Sequence, residues 1–531
     1  MLGNTEAQNN KYVFIVEVLG ILLFWIAAYI GTIVFHNVLA LFLLLGSFAC
    51  LIALSSQELF HRYRNRIYFV FTACLVLLIV AAKVPGVDDS FISYHYANNF
   101  AAGKGIVFNL GERVEGYSNF LWVAILAGCQ KLGFNIESSA IGISIVAVYC
   151  YYIVLLFFFQ SFTPPSFSQK QKSLMLIAGI AFIASAYWAT TGMETTLYSL
   201  FFLAATYGLL QTLKQKKTNV AILTFILFGM LSLTRIEGVV FGMIAVFFTM
   251  LWEKKLWKTT LFFLIPVVIF HIWRVVYYGS LISQVFLSKG RPKFFLPWYN
   301  GFTYLFSFLN GSGLIFIIIA CLMMLIMKKQ RKVAIQHKET AILGIFVGTQ
   351  MVLSIIAKGD WMGLYRWYIP IYPLAILLFF SFMFSFQISR QRIFNYIATA
   401  VIVMSVFSSI SSAISKKILG FDNQVLFDEG IASYIQQHKK PESVIIGADA
   451  GVIGYRNIGT YYYDLEELTN TTNNLESSKQ KLPANSFFYL TSTKPNPQKY
   501  TWGENSFKTV INREVEYPGY FNFYYTLYEL K

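Results

Sequence analysis

Between residues 12 and 414 the chain is a succession of apolar runs, several reaching the ~20 residues a helix needs to cross a bilayer. In hydrocarbon every backbone N–H and C=O must be satisfied inside the spanning element, so such runs fold as membrane-crossing helices. Composition agrees: 56% of residues are hydrophobic, 18% aromatic and 13% charged, where soluble domains carry about 25% charge. The chain reads as an integral membrane protein.

Candidate spans are residues 12–35, 38–54, 67–82, 120–133, 138–159, 173–188, 195–213, 220–233, 238–251, 259–277, 304–327, 340–357, 368–386 and 393–414. The net charge of +16 falls in short clusters between them: Arg62/Arg64/Arg66, Lys214/Lys216/Lys217, Lys254/Lys255/Lys258, Lys328/Lys329/Arg331/Lys332 and Arg390/Arg392. Such clusters mark cytoplasmic loops rather than a nucleic-acid surface. Segments 84–118, 279–303, 358–367 and everything after about 415 then face outward. The parity does not close, because counting forward from Arg66 and backward from Lys214 gives opposite faces for Lys170 and Lys172. One short candidate between 120 and 213 must fail to span or be re-entrant, leaving about 13 spans.

Cys50, Cys74, Cys129, Cys150 and Cys321 all lie in apolar runs without paired spacing, so they read as buried thiols. The first apolar run has no small-residue cleavage site and reads as a retained anchor. After Ile414 polar residues return, with a helix ("FDEGIASYIQQHKK"), a strand ("SVIIGA"), a Gly-punctuated turn and further strand-like runs ("TYYYDL", "SFFYLT", "KTVINREV", "NFYYTLYEL"). The expected fold is an all-α polytopic membrane domain over 1–414, followed by a small α/β extracytoplasmic domain over 415–531.

The richest outward segment is "VDDSFISYHYANNFAAGKGIVFNLGERVEGYSN", 87–119. Asp88 and Asp89 open a helix whose Phe91, Ile92, Tyr94, Ala97 and Phe100 would lie on the membrane surface, with Gly103 as its stop. Capping accounts for one carboxylate; a second needs a partner, since an acid toward the bilayer centre costs ~2.5–3.5 kcal/mol. A carboxylate near a low-dielectric wall, beside another acid that raises one pKa, also suits a base that deprotonates a sugar hydroxyl. Cap and base both stay open.

Asn109, Glu112, Arg113, Glu115, Tyr117 and Asn119 follow within the same loop, with Trp122 at the membrane boundary. Arg113 is either the salt-bridge partner of these acids or a bidentate phosphate ligand. Near helix ends on the same side stand Glu194, Arg235 and Glu237, His271 and Arg274, then Lys289, Arg291 and Lys293, and finally Lys358, Asp360, Trp361 and Arg366. Singly they are snorkelling charges or local ion pairs; together they predict a charged cavity on one face. No phosphate-cradling Gly-rich loop, zinc spacing or nucleophile elbow is present, which favours an energy source that arrives in the membrane.

The motifs "DDSFISYHYANNFAAGKGIVFNLGERVEGYSNFLW", "TGMETTLY", "LTRIEG" and "KGDWMGLYRWYIPIYPL", in that order, resemble polyprenyl-phosphate-dependent glycosyltransferases of the GT-C superfamily. The likeness leans to the branch with the mycobacterial terminal arabinofuranosyltransferase, covers about 84–374, and extends weakly to "GADAGVIGY" and "YYYDL" in the tail. It implies a GT-C-like membrane domain in a bacterial cytoplasmic (inner) membrane, with the active-site loop and tail extracytoplasmic. Asp88 or Asp89 would deprotonate an acceptor hydroxyl, which attacks the anomeric carbon with inversion while polyprenyl phosphate leaves. Arg113, Arg235, Arg274, Lys289, Arg291 and Arg366 would serve the donor phosphate. Tyr94, Asn109, Glu112, Glu115, Tyr117, Asn119, Glu194, Asp360 and Trp361 would serve substrate binding. A divalent cation such as Mg or Mn at Asp88 and Asp89 occurs in some members and not others. The acceptor implied is a lipopolysaccharide or other surface glycan, a lipid-linked molecule or a pilin-like protein. A transporter or flippase of lipid-linked sugars, expected to show repeat symmetry and mid-helix charges, and an assembly subunit are the competing readings.

Overall fold

The computed structural model describes residues 58–81, 86–163, 165, 167–182, 184–285, 299–315, 318–319, 338–360, 362, 364–385, 391–414, 418–470, 479–492, 499–502, 505–515 and 523–530. Candidate spans 12–35 and 38–54 and the later part of 304–327 lie outside the described residues.

The helices are α1 Glu58–Ala81, α2 Asp88–Ala101, α3 Phe120–Lys131, α4 Ile136–Phe162, α5 Gln169–Ile180, α6 Ala184–Tyr187, α7 Thr195–Gln215, α8 Thr218–Thr234, α9 Glu237–Trp252, α10 Leu261–Tyr278, α11 Tyr299–Gly311, α12 Lys338–Ile356, α13 Tyr372–Ser385, α14 Gln391–Ile414, α15 Ile418–His438 and α16 Val452–Arg456. Among the described residues, Ile136–Phe162, Thr195–Gln215, Lys254–Tyr278 and Lys338–Ile356 are each long and apolar enough to cross a membrane. Residues Gln169–Ile180 and Ala184–Thr190 add a fifth if the pair, bent by 40°, is one span. The protein is a multi-pass membrane protein; the figure of about 13 spans is not reached by the described helices alone.

Side-chain contacts sort the helix ends into two faces. On the basic face Arg64 Nη1 donates to Gln169 Oε1 at 3.3 Å and Gln160 Nε2 to Asn65 Oδ1 at 2.9 Å. Lys216 Nζ pairs with Glu253 at 2.9 Å there, and Lys214 lies 6.0 Å over the Phe162 ring. Lys170 and Lys172 open α5 beside Arg64 and therefore share this face. On the opposite, loop face, Val87 N–H donates to the Thr191 carbonyl at 3.3 Å, Asn119 to Glu194 at 2.9 Å, and Arg456 pairs with Glu137 at 2.5 Å.

These contacts resolve the parity. Helix α3 begins beside Asn119 and is followed by Glu137, both on the loop face. Its 12 residues rise about 18 Å, against a hydrocarbon core of about 30 Å. It is the short candidate that does not cross, while α5 and α6 run, bent, from the basic face to the loop face.

Interhelical packing relies on rings and on small residues, as expected where lipid supplies no hydrophobic drive between helices. Phe241 stands 4.8 Å from Phe202 and 5.3 Å from Phe346, joining α7, α9 and α12. A Cβ at Gly242 would lie 2.3 Å from the Phe263 ring, so glycine there lets α9 and α10 close.

The C-terminal domain contains a six-stranded sheet in the order β2-β1-β3-β6-β5-β4, with β1 Val444–Gly447, β2 Tyr461–Asp464, β3 Phe487–Ser492, β4 Lys499–Trp502, β5 Asn505–Val515 and β6 Phe523–Glu529. The first three strands pair in parallel and the rest antiparallel. The segment read as a Gly-punctuated turn contains the short helix α16, and β4, "KYTW", is a strand the sequence reading missed. Helix α15 lies on the sheet, with the Tyr489 hydroxyl donating to Asp428 at 2.7 Å.

Candidate active site on the loop face

Helix α2 starts from extended Val87, and no side chain caps it; Asp88 and Asp89 occupy its first turn. The expected membrane-surface helix is a buried one. Phe91, Ile92, Tyr94 and Ala97 are enclosed between membrane helices and the C-terminal domain, and of the five apolar residues only Phe100 is exposed. The expected stop at Gly103 stands, at φ +73°.

The Asp88 carboxylate accepts N–H bonds from Val452 at 2.7 Å and Gly451 at 3.2 Å, at the start of α16. Burial, reinforced by the Asp449 carboxylate and opposed by those two N–H bonds, pushes its pKa from 3.8 to about 8. Asp89, the next residue, is half-buried and close enough to act electrostatically on Arg366. His95 of the same helix stacks on Phe108 at 4.0 Å, and burial lowers it to about 3, so it stays neutral.

The helix ends around α2 carry a continuous polar network. Asn119 Nδ2 donates to Ser93 Oγ at 3.1 Å and to Glu194 Oε2 at 2.9 Å. Glu194 in turn accepts from Arg235 at 2.7 Å, and Arg235 also pairs with Glu237 at 2.9 Å. The Arg235 guanidinium lies 5.4 Å from the Trp367 ring and 5.8 Å from Tyr198.

Arg366 sits beside this network in a 3-10 turn, Arg366–Tyr368. Its Nε pairs with Asp360, its Nη1 points at Met193 Sδ at 3.3 Å, and its Cζ lies 5.6 Å over Trp188. Burial works against the cation, yet Asp360, with Asp89 and Glu194 behind it, outweighs burial and the opposing Arg235 charge and raises the pKa. The arrangement is an enclosed guanidinium that is paired with Asp360 and rests one of its N–H groups on a thioether, a weak acceptor. An anionic oxygen would displace that contact readily, because charge-assisted bonds are roughly twice as strong.

A second charged centre is built on Arg274 and Glu115. Arg274 Nε donates to Glu115 at 2.6 Å, both side chains being buried, beside a cavity of about 30 Å³ lined also by Ser118, Ser232, His271 and Ser283. Burial outweighs Arg274 and pushes Glu115 up to about 7. Arg113 is exposed over the Tyr277 ring at 4.9 Å, and the Tyr117 and Tyr278 hydroxyls lie 3.0 Å apart.

Other sequence candidates meet the C-terminal domain. Asn109 donates to the Tyr462 carbonyl and accepts from the Tyr462 N–H, each at 2.9 Å, and Glu112 accepts from the Tyr461 hydroxyl. The Tyr94 hydroxyl donates to the Gly192 carbonyl at 3.4 Å. Lys289, Arg291 and Trp361 lie outside the described residues.

Met193, Trp188, Trp367 and, in the C-terminal domain, Glu466 belong to the site's surroundings and were missed from sequence. Met193 lay inside a quoted motif, but an apolar residue carries no such signal. Glu466 is half-buried, and burial with the charges of Asp464, Asp449, Asp89 and Asp88 pushes it to about 8.

Among the described residues no group of three or more His, Cys, Asp or Glu is placed to hold a metal ion. Asp88 spends its carboxylate on backbone N–H groups, so the donor set does not fit the divalent cation that the resemblance leaves open.

No protein-family model matches the chain. The chain is 26% identical over 237 residues to the terminal β-(1→2)-arabinofuranosyltransferase of Mycobacterium tuberculosis, which covers 42% of this chain and 37% of that protein. It thus spans well under half of that relative's length. The crystal structure of ArnT from Cupriavidus metallidurans bound to undecaprenyl phosphate superposes with a TM-score of 0.53 at 11% identity, over 87% of this chain and 98% of ArnT. The apo ArnT structure gives a TM-score of 0.49 at 12% identity, over 81% and 93%. This chain is similar in sequence to a GT-C glycosyltransferase and carries the fold of GT-C superfamily membrane glycosyltransferases.

Proposed function

We infer that the protein is a membrane glycosyltransferase that moves a sugar from a polyprenyl phosphate to a hydroxyl of an extracytoplasmic acceptor. The observation that carries this is the acid pair opening α2 on the same face as enclosed Arg366, whose Nη1 rests on Met193 Sδ. In the reaction, the acceptor O–H proton passes to a carboxylate of the pair as the oxygen bonds to the anomeric carbon. The bond from that carbon to the phosphate oxygen breaks, and polyprenyl phosphate departs with the electron pair, its charge met by Arg366. Attack opposite the leaving group inverts the anomeric centre. Arg235, tied to Glu194 and Glu237, supports the same end of the site.

The loop face is extracytoplasmic in this reading, with the basic face in the cytoplasm of a bacterial inner membrane. Acceptors of the fitting class are surface glycans such as lipopolysaccharide, lipid-linked glycans and pilin-like proteins. Mass spectrometry of surface glycans and envelope proteins from deletion and wild-type cells tests the function. A sugar residue missing from the deletion strain and restored by the wild-type gene supports it. An unchanged surface with altered lipid flipping supports a transporter instead.

A further inference from the structure

Two adjacent carboxylates open α2, and they meet different surroundings. Successive helical residues diverge by about 100°, so Asp89 cannot follow Asp88 to the same partner. Asp88 is buried and directs its oxygens to the Gly451 and Val452 N–H groups of the C-terminal domain. The approach is so close that a Cβ at Gly451 would lie 2.0 Å from the Asp88 carbonyl oxygen and 2.5 Å from its Oδ1. Gly451 has φ −66°, outside the left-handed region, and it is the lack of space against Asp88 that excludes a side chain there.

The same seam is held by the paired Asn109–Tyr462 bonds and by Arg456, which bridges Glu137 of α4 and Glu429 of α15. Gly116 fits against the Leu468 carbonyl, where a Cβ would lie at 2.6 Å, and Gln284 donates to the Glu467 carbonyl at 3.0 Å. The C-terminal domain is therefore docked on three separate parts of the loop face: the 86–119 segment, the start of α4 and the loop after α10.

Resting on the transfer reading above, we propose that Asp88 is a positioning residue that docks the C-terminal domain onto the start of α2, while Asp89 is the base. A carboxylate enclosed at a domain seam and committed to two backbone N–H groups has no approach open to an acceptor hydroxyl. Asp89, one residue on, is half-exposed and close enough to act electrostatically on the guanidinium that would receive the leaving phosphate. The docking acts on Asp89 through the rigid first turn of α2, where a displacement of about 1 Å can cost 10²-fold in rate.

The test uses the full-length protein in membranes, supplied with their own lipid-linked donor pool and with surface glycan extracted from deletion cells as acceptor. Asp88→Asn and Asp89→Asn are compared by pH–rate profile and by hydrogen exchange at the Gly451 and Val452 amides. Asp88→Asn is expected to lower the rate about 10²-fold, keep the acidic limb of the profile and expose both amides. Asp89→Asn is expected to abolish transfer with the amides still protected. Rescue of the Asp88 variant's exchange protection by Asp88→Glu, with partial return of rate, would strengthen the assignment. Abolished transfer in Asp88→Asn with protected amides, or an active Asp89→Asn, overturns it and leaves the glycosyltransfer reading standing. Full transfer in both single variants and in the double variant sinks both.

Discussion

Arg366 Nη1 lies 3.3 Å from the thioether sulfur of Met193, while Nε of the same guanidinium is held by Asp360. One arm of the fork is thus anchored and the other rests on a weak acceptor. Arg366→Lys keeps the charge but loses the fork, so transfer should fall about tenfold or more, with the larger part in the apparent affinity for donor lipid. Arg366→Ala should also unfold the site, because it leaves buried Asp360 unpaired at about 3–5 kcal/mol. Kinetics in membranes and thermal unfolding in detergent separate the two effects.

Gly451→Ala should destabilise docking by about 1–3 kcal/mol, the usual cost of an inserted methyl in a closed contact. The φ of −66° at 451 is outside the left-handed region, and the atoms that a Cβ would meet first belong to Asp88, so the loss reports crowding against Asp88. Limited proteolysis of the C-terminal domain, compared with wild type, measures it; an unchanged cleavage rate contradicts the contact.

Asn109→Ala should lower stability rather than acceptor affinity. It leaves the buried Tyr462 N–H and carbonyl without partners, at about 1–3 kcal/mol each. A raised acceptor KM with an unchanged unfolding midpoint would instead return Asn109 to the substrate site.

The pH dependence of stability follows from Asp88. Its folded pKa of about 8 lies above the ordinary 3.8, so the folded state binds the extra proton. The associated stability is fully present below about pH 4 and is lost as pH rises through about 8. Glu466, also raised to about 8, acts in the same direction. Thermal midpoints measured from pH 5 to pH 9 should fall, by roughly 2–4 °C per kcal/mol lost. Asp88→Asn should flatten the slope, and a midpoint that rises over this range contradicts the assignment.

Much of the membrane architecture was legible because a span is a local property. Runs such as 138–159 and 195–213 carry their own hydropathy, and the helices Ile136–Phe162 and Thr195–Gln215 enclose them. The run 120–133 is equally apolar, and only the contacts of Asn119 and Glu137 with one face reveal that it turns back. Asn109 and Glu112 looked like sugar ligands because polar residues in an outward loop have the same composition whether they meet a glycan or another strand. The missing strand β4 is four residues long and owes its pairing to β5.

By itself the sequence determined that this chain enters a membrane, that acids and arginines gather at its helix ends, and that a mixed α/β segment follows the last helix. Tertiary structure alone decided how the acid pair is divided. Asp88 meets backbone N–H groups at 451 and 452, more than 360 positions away in the chain, while Asp89 stays half-buried within electrostatic reach of Arg366. Hydropathy and motif order are written in neighbouring residues, whereas the partner of a buried carboxylate is set by which distant backbone can approach it. At Asp88 that approach exists because residue 451 has no side chain.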